Sequence, residues 1–293
     1  MITIRTLKNT SFEEIHKAAI NAFSDYVEEF DVTLEELKYM VERRACDFTL
    51  SFGAFDNEKL VGFTLNGVGE WNGERTAYDT GTGIIKEYRK QGIATRLFNE
   101  SLPVLRKNNI SQYLLEVIKT NTGAVDLYKK AGFKVTREFD YFTIDKDKIE
   151  IKAVNIKTKL NIKKVEKPNW EMYKSFWEFE PSWQNSIDSI NRKIEHFDIV
   201  EALMEKELVG YGIIERHTGD IPLFAISPNH RRKKIGKILF NKLLAYTDSN
   251  GIRVTNSAAD YKQFRSFVES LGLPVGYGQY EMILKLWSRS IST

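Results

Sequence analysis

Gly83-Ile84-Ile85-Lys86-Glu87-Tyr88-Arg89-Lys90-Gln91-Gly92-Ile93-Ala94-Thr95-Arg96-Leu97 reads as the end of a β-strand, a short basic turn and the first turn of an amphipathic helix. Gly92 and Ala94 are small enough to let a ligand approach the backbone, and the free N–H groups of a helix N-terminus attract an anion such as pyrophosphate. Taken alone, the same segment also fits a tight strand-to-helix turn that binds nothing. Its surroundings have to decide.

Working outward, the chain repeats itself. Glu58-Lys59-Leu60-Val61-Gly62-Phe63 returns as Lys206-Glu207-Leu208-Val209-Gly210-Tyr211, Arg89 with Leu97-Phe98-Asn99 returns as Arg231 with Leu239-Phe240-Asn241, and Ala131-Gly132-Phe133 has a weaker echo in Leu271-Gly272-Leu273. The order is kept, and the spacing shrinks slowly from Gly62→Gly210 to Gly132→Gly272. That is the pattern of two copies of one fold, expected over residues 1–148 and 149–293, with a charge-rich linker at 146–159. In the first copy we expect strands at 2–7, 48–55, 60–68, 74–85, 112–118 and 133–144. Helices should open at Ser11, at the Thr33/Glu36 capping box, after Gly92 and at Thr122, and Asn72-Gly73 should form a hairpin turn. The second copy reads likewise, ending in a strand at 280–286. Each copy is α/β (α+β), a mixed, mostly antiparallel sheet flanked by helices.

Composition narrows the function. The 293 residues fit two domains, and 42% hydrophobic and 28% charged residues describe folded, solvated units. A net charge of +3 is too near balance for a chain that coats nucleic acid. One cysteine, Cys46, and four scattered histidines offer neither a disulfide nor metal-ligand spacing, so no metal is expected. Met1–Arg5 alternates like a strand, and no apolar run approaches membrane-span length. A cytoplasmic protein without membrane or nucleic-acid partners is the expectation.

The 83–97 segment resembles the acetyl-CoA-binding motif of the GNAT superfamily of N-acetyltransferases, Arg/Gln-x-x-Gly-x-Gly/Ala, through Arg89, Gly92 and Ala94. The superfamily's next landmark follows in order: Leu115-Glu116-Val117, Asn121, Ala124, Leu127-Tyr128 and Gly132-Phe133. The resemblance implies two tandem GNAT folds and direct transfer of the acetyl group of acetyl-CoA to a primary amine. It implies that the backbone N–H groups of Ile84 and Ile85 bind the acyl carbonyl and stabilise its oxyanion. Arg89, Lys90, Gln91, Gly92, Ile93, Ala94 and Thr95 would hold the pyrophosphate, and Asn121 the pantetheine side. Tyr128 would serve the departing thiolate, more by hydrogen bonding than by full proton transfer, because a phenol is the weaker acid of the two. Glu116 and Asp79 are rival general bases. Asp25, Glu28, Glu29, Asp31, Glu35 and Glu36 could steer a cationic acceptor, or form a solvated helix face. Trp71 and Tyr78 fit an acceptor wall or sheet packing equally. Cys46 is expected to be a small buried filler.

The second copy departs from the motif. Ile226-Ser227-Pro228-Asn229-His230-Arg231-Arg232-Lys233-Lys234-Ile235-Gly236-Lys237 carries Lys234 where Gly92 stands, and Val268 occupies the position of Tyr128. Lys234 is expected to crowd the cradle, leaving a degenerate copy kept for architecture, acceptor shaping or dimerisation. The acceptor, a small molecule or a peptide amine, is not specified by sequence, and homodimerisation stays open. The competing function is a non-catalytic acyl-CoA sensor or interaction protein.

Overall fold

The computed structural model describes residues 1–25, 30–149, 151 and 159–287. Glu28, Glu29 and most of the expected linker lie outside the described residues. The elements run β1 (Ile2–Thr6), α1 (Phe12–Phe23), α2 (Leu34–Arg43), β2 (Phe52–Asp56), β3 (Lys59–Trp71), β4 (Glu74–Ile84), α3 (Ile93–Lys107), β5 (Gln112–Ile118), α4 (Thr122–Lys130) and β6 (Lys134–Asp145). The second half continues with β7 (Leu160–Val165), α5 (Trp170–Lys174), α6 (Ile187–Asn191), β8 (Phe197–Met204), β9 (Glu207–Glu215), β10 (Leu223–Ile226), α7 (Ile235–Leu243), β11 (Gly251–Ala258), α8 (Lys262–Glu269) and β12 (Gln279–Lys285).

Two compact units result, and neither is a continuous stretch of chain. Unit 1 comprises Met1–Val117, Asn121–Thr136 and Glu281–Thr293, and unit 2 comprises Ile118–Thr120 and Arg137–Tyr280. The last strand of the chain thus belongs mostly to unit 1, where β12 neighbours β5, while most of β6 belongs to unit 2 and pairs antiparallel with β11. Within unit 1, Arg106 Nε donates to Leu286 O at 3.0 Å and Trp287 Nε1 to Ile110 O at 3.1 Å, fastening the returning chain.

Unit 1 orders its strands β1-β2-β3-β4-β5-β12, and β4 and β5 run parallel over Thr76↔Gln112 to Asp79↔Leu115. The Asn72-Gly73 turn has φ of 52° and 72°, both left-handed as a two-residue hairpin requires, and Trp71 sits opposite Glu74. Both capping boxes form, Ser11 with Glu14 and Thr33 with Glu36. Along α3 the buried side chains Ile93, Leu97, Ser101 and Leu105 recur every fourth residue, the stripe that seats a helix on a sheet. β2 begins at Phe52 rather than 48, because Asp47–Leu50 closes a turn, with Leu50 N donating to Asp47 O at 3.0 Å.

Unit 2 holds the sheet β10-β9-β8-β7 and the β6–β11 pair. Internal duplication is visible in its backbone. In both units the strand pair facing the motif carries a register shift, between Ala54 and Phe55 in one and Ala202 and Leu203 in the other. The carbonyls of Val61 and Val209 at these shifts accept from Ile85 N at 3.0 Å and Ser227 N at 2.9 Å. A Cβ on Gly62 or Gly210 would lie 2.5 Å from Ile84 Cδ1 or Ile226 Cδ1 respectively, so glycine is required at both.

Candidate active site

The site in unit 1 is built on an irregularity in β4. Register passes from Leu65↔Gly81 to Asn66↔Asp79, leaving Thr80 as the extra residue of a β-bulge. In a regular strand, residues three apart face opposite ways. Here the bulge brings Asp79 and Thr82 together, with Thr82 Oγ1 donating to Asp79 Oδ2 at 2.8 Å. Tyr128, carried on α4, donates its hydroxyl to the same oxygen at 3.3 Å. Thr82 Oγ1 also lies 2.9 Å from Thr64 Oγ1, and Tyr113 donates to Asn66 Oδ1 at 2.6 Å, so a polar chain runs under the acid. Asp79 Oδ1 is buried without a hydrogen-bond partner. Burial pushes the Asp79 carboxyl up from 3.8 to about 6, against the lowering effect of Thr82 and Tyr128. Burial, joined by the nearby Asp79 charge, lifts the Tyr128 hydroxyl well above its ordinary value.

Glu116, the rival acid, belongs to a different contact. Tyr78 donates its hydroxyl to Glu116 Oε2 at 3.1 Å, which accounts for buried Tyr78 as a polar partner rather than a bare apolar wall. Cys46 is half-buried beside Thr80, 3.2 Å from its Oγ1, and desolvation pushes the thiol up to about 12. It is therefore no nucleophile at neutral pH.

The motif turn resolves into parts with different uses. Gly92 caps α3 in the left-handed region at φ 74°, preceded by Lys90 at 61°. The first N–H groups of a helix have no intrahelical acceptor, and a Cβ on Gly92 would meet nothing within 4 Å, so the mouth of this cradle is open. Its residues fit a pyrophosphate through backbone donors. The Arg89 side chain is engaged within the protein. Its guanidinium grips Asp25 at 2.8 Å through two nitrogens and also donates to Ala22 O at 2.7 Å and Ile84 O at 3.2 Å. Arg89 fastens the end of α1 to the exit of β4. The Ile85 N–H donates to Val61 O, and strand alternation turns the Ile84 N–H the other way, toward the parting of β4 from β5. Asn121 caps α4, its Oδ1 accepting from Ala124 N at 3.2 Å, which leaves its NH₂ as the donor for a ligand.

Three of the six acids have partners within the protein: Asp25 holds Arg89, Glu35 pairs with Lys38 at 2.8 Å, and Glu36 closes the α2 capping box. Sequence reading missed Thr82, Thr64, Asn66 and Tyr113, for which the unmarked bulge at Thr80 was the needed signal. Among the described residues no group of three potential metal ligands occurs, and no helix is long and apolar enough to cross a membrane.

In unit 2 the cradle survives its substitutions. Lys234 takes the conformation of Gly92, with φ 67°, and Arg232 that of Lys90, with φ 62°. Lys234 thus keeps the backbone conformation of Gly92 and adds a side chain at the mouth of the cradle. Arg231 repeats the Arg89 latch, donating to Ile226 O at 3.0 Å and Phe176 O at 2.9 Å and pairing with Glu178.

The split strand pair and the helix-capped cradle, present in both units, and the Tyr128–Asp79 contact, present in unit 1, are the parts of an acyltransferase-type fold. The sequence profile of the Acetyltransferase (GNAT) family matches residues 12–133 and 162–272, and the chain belongs to that family. Similar proteins include N-alpha-acetyltransferase 30 of Schizosaccharomyces pombe, 33% identical over 94 residues, covering 31% of this chain and 63% of that one. N-alpha-acetyltransferase MAK3 of Arabidopsis thaliana is 28% identical over 106 residues, covering 36% and 56%. The chain thus spans less than two thirds of the length of these relatives. In fold it is similar to a tandem GNAT protein from the clavulanic acid biosynthesis pathway, with TM-score 0.76, 13% identity and coverage of 99% and 100%. A putative acetyltransferase from Pyrococcus horikoshii follows with TM-score 0.67, 18% identity and coverage of 97% and 89%.

Proposed function

We propose that unit 1 transfers the acetyl group of acetyl-CoA to the α-amine of a peptide or a comparably acidic small-molecule amine. The observation that carries this reading is the Tyr128–Asp79 contact, a phenol and a near-neutral acid on one buried oxygen. Acetyl-CoA supplies a thioester; the acceptor nitrogen forms the amide bond as the carbon–sulfur bond breaks. Backbone N–H groups from Gln91 to Thr95 hold the pyrophosphate, the Ile84 N–H polarises the acyl carbonyl, and the Asn121 amide meets the pantetheine.

The acceptor's ammonium sheds two protons: the first passes to Asp79 Oδ1, directly or through one water, and the second leaves the nitrogen of the tetrahedral adduct for solvent. Tyr128 is too weak an acid to protonate a thiolate unaided. Coupled to Asp79 it does not have to remain ionised: its hydroxyl proton goes to the departing sulfur as Asp79 replaces it. Asp79 also favours an α-amine. Moving a proton from an amine near ~8 to an acid at about 6 is uphill by about 2.7 kcal/mol, against about 6 kcal/mol from a lysine amine near ~10.4. N-alpha-acetyltransferases among the relatives point the same way. Glu116, held by Tyr78, is assigned to orienting the acceptor side.

The test is CoA release from acetyl-CoA by the full chain with a free-α-amine peptide, its N-acetylated, lysine-containing counterpart, and a small-amine panel. Release with the free α-amine alone supports the assignment; release with the blocked lysine peptide alone would sink it. Absence of release with every amine would leave binding without turnover, the sensor function.

A further inference from the structure

Unit 2 contains a cavity of about 460 Å³ lying between the diverging strands β10 and β11 and the N-terminus of α7. Whereas β4 and β5 stay paired over four residue positions, the chain leading into β10 meets β11 among the described residues in one parallel bridge, Asp220↔Arg253. Pro222 follows at once and has no N–H to extend the pairing. The strands then part, and the space between them is walled by Trp177, Tyr211, Phe224, Val254, Phe264 and Phe267.

The residues that make unit 1 polar and titratable are replaced here. Using the landmarks common to both units, Phe224 stands for Thr82, Gly212 for Thr64, Asn256 for Glu116 and Val268 for Tyr128, while Ile221-Pro222 replaces Asp79. An apolar chamber has taken the place of the proton-handling cluster. Its mouth keeps the other half of the site. Arg232 and Lys234 are exposed at the turn in left-handed conformations, and the unbonded N–H groups of the α7 N-terminus follow. Inside, Ser227 N donates to Val209 O, which turns the Ile226 N–H away from β9. Ser257, 3% exposed, lines the cavity with its Oγ lacking a hydrogen-bond partner. A buried hydroxyl without a partner is the exception in folded proteins and points to a ligand group that completes it.

We infer that unit 2 binds, without turning it over, a CoA thioester whose acyl group is larger and more apolar than acetyl. The basic cradle takes the pyrophosphate, the strand donors and Ser257 take the polar stem, and the aromatic chamber takes the acyl group. The volume lies in the range of sites that enclose a sizeable ligand. An acetyl group would leave most of the apolar wall uncovered. The inference concerns unit 2 alone and does not depend on the acceptor used by unit 1.

Isothermal titration of the full chain, without any amine present, tests it with octanoyl-CoA, acetyl-CoA, free CoA and octanoate as probes. We expect a site that takes octanoyl-CoA at least tenfold more tightly than acetyl-CoA, free CoA or octanoate. Ala225→Trp, which fills the chamber from β10, should remove that site and leave acetyl transfer by unit 1 unchanged. Because a large side chain there can disturb folding, the paired exposed variant Arg232→Glu/Lys234→Glu serves as the second arm. It should weaken octanoyl-CoA at least fivefold and leave octanoate unaffected. Octanoyl-CoA binding no tighter than free CoA, or binding that survives both variants, would overturn the inference. So would amine-dependent CoA release from octanoyl-CoA in a Tyr128→Phe/Asp79→Asn chain, since unit 2 would then be catalytic. Loss of acetyl transfer in the wild type would count against unit 1 and leave this binding result readable.

Discussion

Unit 1 and unit 2 keep the same backbone devices and differ in what those devices surround. Both have the register shift at Val61 or Val209, the glycine packed under Ile84 or Ile226, the arginine latch and the left-handed pair before the helix. Around this shared frame, unit 1 places Asp79, Thr82, Thr64 and Tyr128, and unit 2 places apolar groups. The lesson is that the cradle and the chemistry are separable layers of this fold. On the function proposed above, binding rests on strand parity and helix caps, which keep their geometry through side-chain change. Proton handling would rest on a few side chains brought together by one bulge, and these are the side chains that unit 2 replaces.

The sharpest way to break the comparison is to make unit 1 resemble unit 2 at its chemical layer. Tyr128→Phe and Asp79→Asn should each lower the turnover number by about 10²-fold or more, within the range for lost acid–base groups. Titration calorimetry should find acetyl-CoA affinity at unit 1 little changed. The double variant should lose about as much as either single one, because the two groups act as a unit. Additive losses would show that they act separately.

Asp79 also makes a pH signature that unit 2 lacks. Its folded carboxyl is raised to about 6 from 3.8, so the folded state holds a proton that the unfolded chain releases over that interval. The resulting stabilisation is fully present below 3.8 and is lost as pH rises through about 6, a change of about 3 kcal/mol. Denaturant midpoints measured from pH 4 to 7 should therefore fall less steeply in Asp79→Asn. The rate profile should rise through about pH 6 in the wild type, and that limb should be absent in the variant. An unchanged limb would move the base elsewhere, with Glu116→Gln as the next variant to profile.

Much of this was legible in the chain, and the exceptions have physical causes. Asn72-Gly73 and the Thr33/Glu36 box act over a few residues, so their signals are complete in the sequence, and the duplicated landmarks carried the fold. The return of β12 to unit 1 was not legible: β6 and β12 each follow a helix and a glycine turn, and nothing in a strand's own pattern says which copy it completes. The Arg89–Asp25 pair was not legible, because the charge is local while its partner lies 64 residues earlier. Nor was the difference between the Ile84 and Ile85 N–H groups, because donor direction depends on strand parity, which is fixed by pairing with Val61. The Asp79–Thr82 grouping required the bulge at Thr80, and no turn residue marks that position itself.

At the level of the frame, the two units should respond alike. Gly62→Ala and Gly210→Ala each drive a methyl group to 2.5 Å from an isoleucine Cδ1, with a carbonyl oxygen 3.3 Å or 3.2 Å away on the other side. The isoleucine end can shift and the carbonyl much less, so each substitution should destabilise its unit by about 1–3 kcal/mol. Equal losses in chemical denaturation would support one packing solution used twice. A loss confined to Gly62→Ala would mean that unit 2 has relaxed its frame as well as its chemistry.

The smallest effect tests the separation of layers most directly. Lys234 holds a left-handed conformation, at φ 67°, that disfavours any residue with a Cβ. Gly92 holds the same conformation without that steric conflict. Lys234→Gly should therefore stabilise unit 2 by roughly 1 kcal/mol, reduced by the entropy glycine gains on unfolding. Gly92→Ala should destabilise unit 1 by a similar amount, yet leave acetyl-CoA affinity within about twofold, because its Cβ meets nothing within 4 Å. Thermal melts give the first quantity and titration calorimetry the second. A large loss of affinity in Gly92→Ala would mean that the bound pyrophosphate comes close enough to exclude a methyl group. Unit 2, with lysine there, would then have to hold its anion in a different way from unit 1, and the common cradle would dissolve into two.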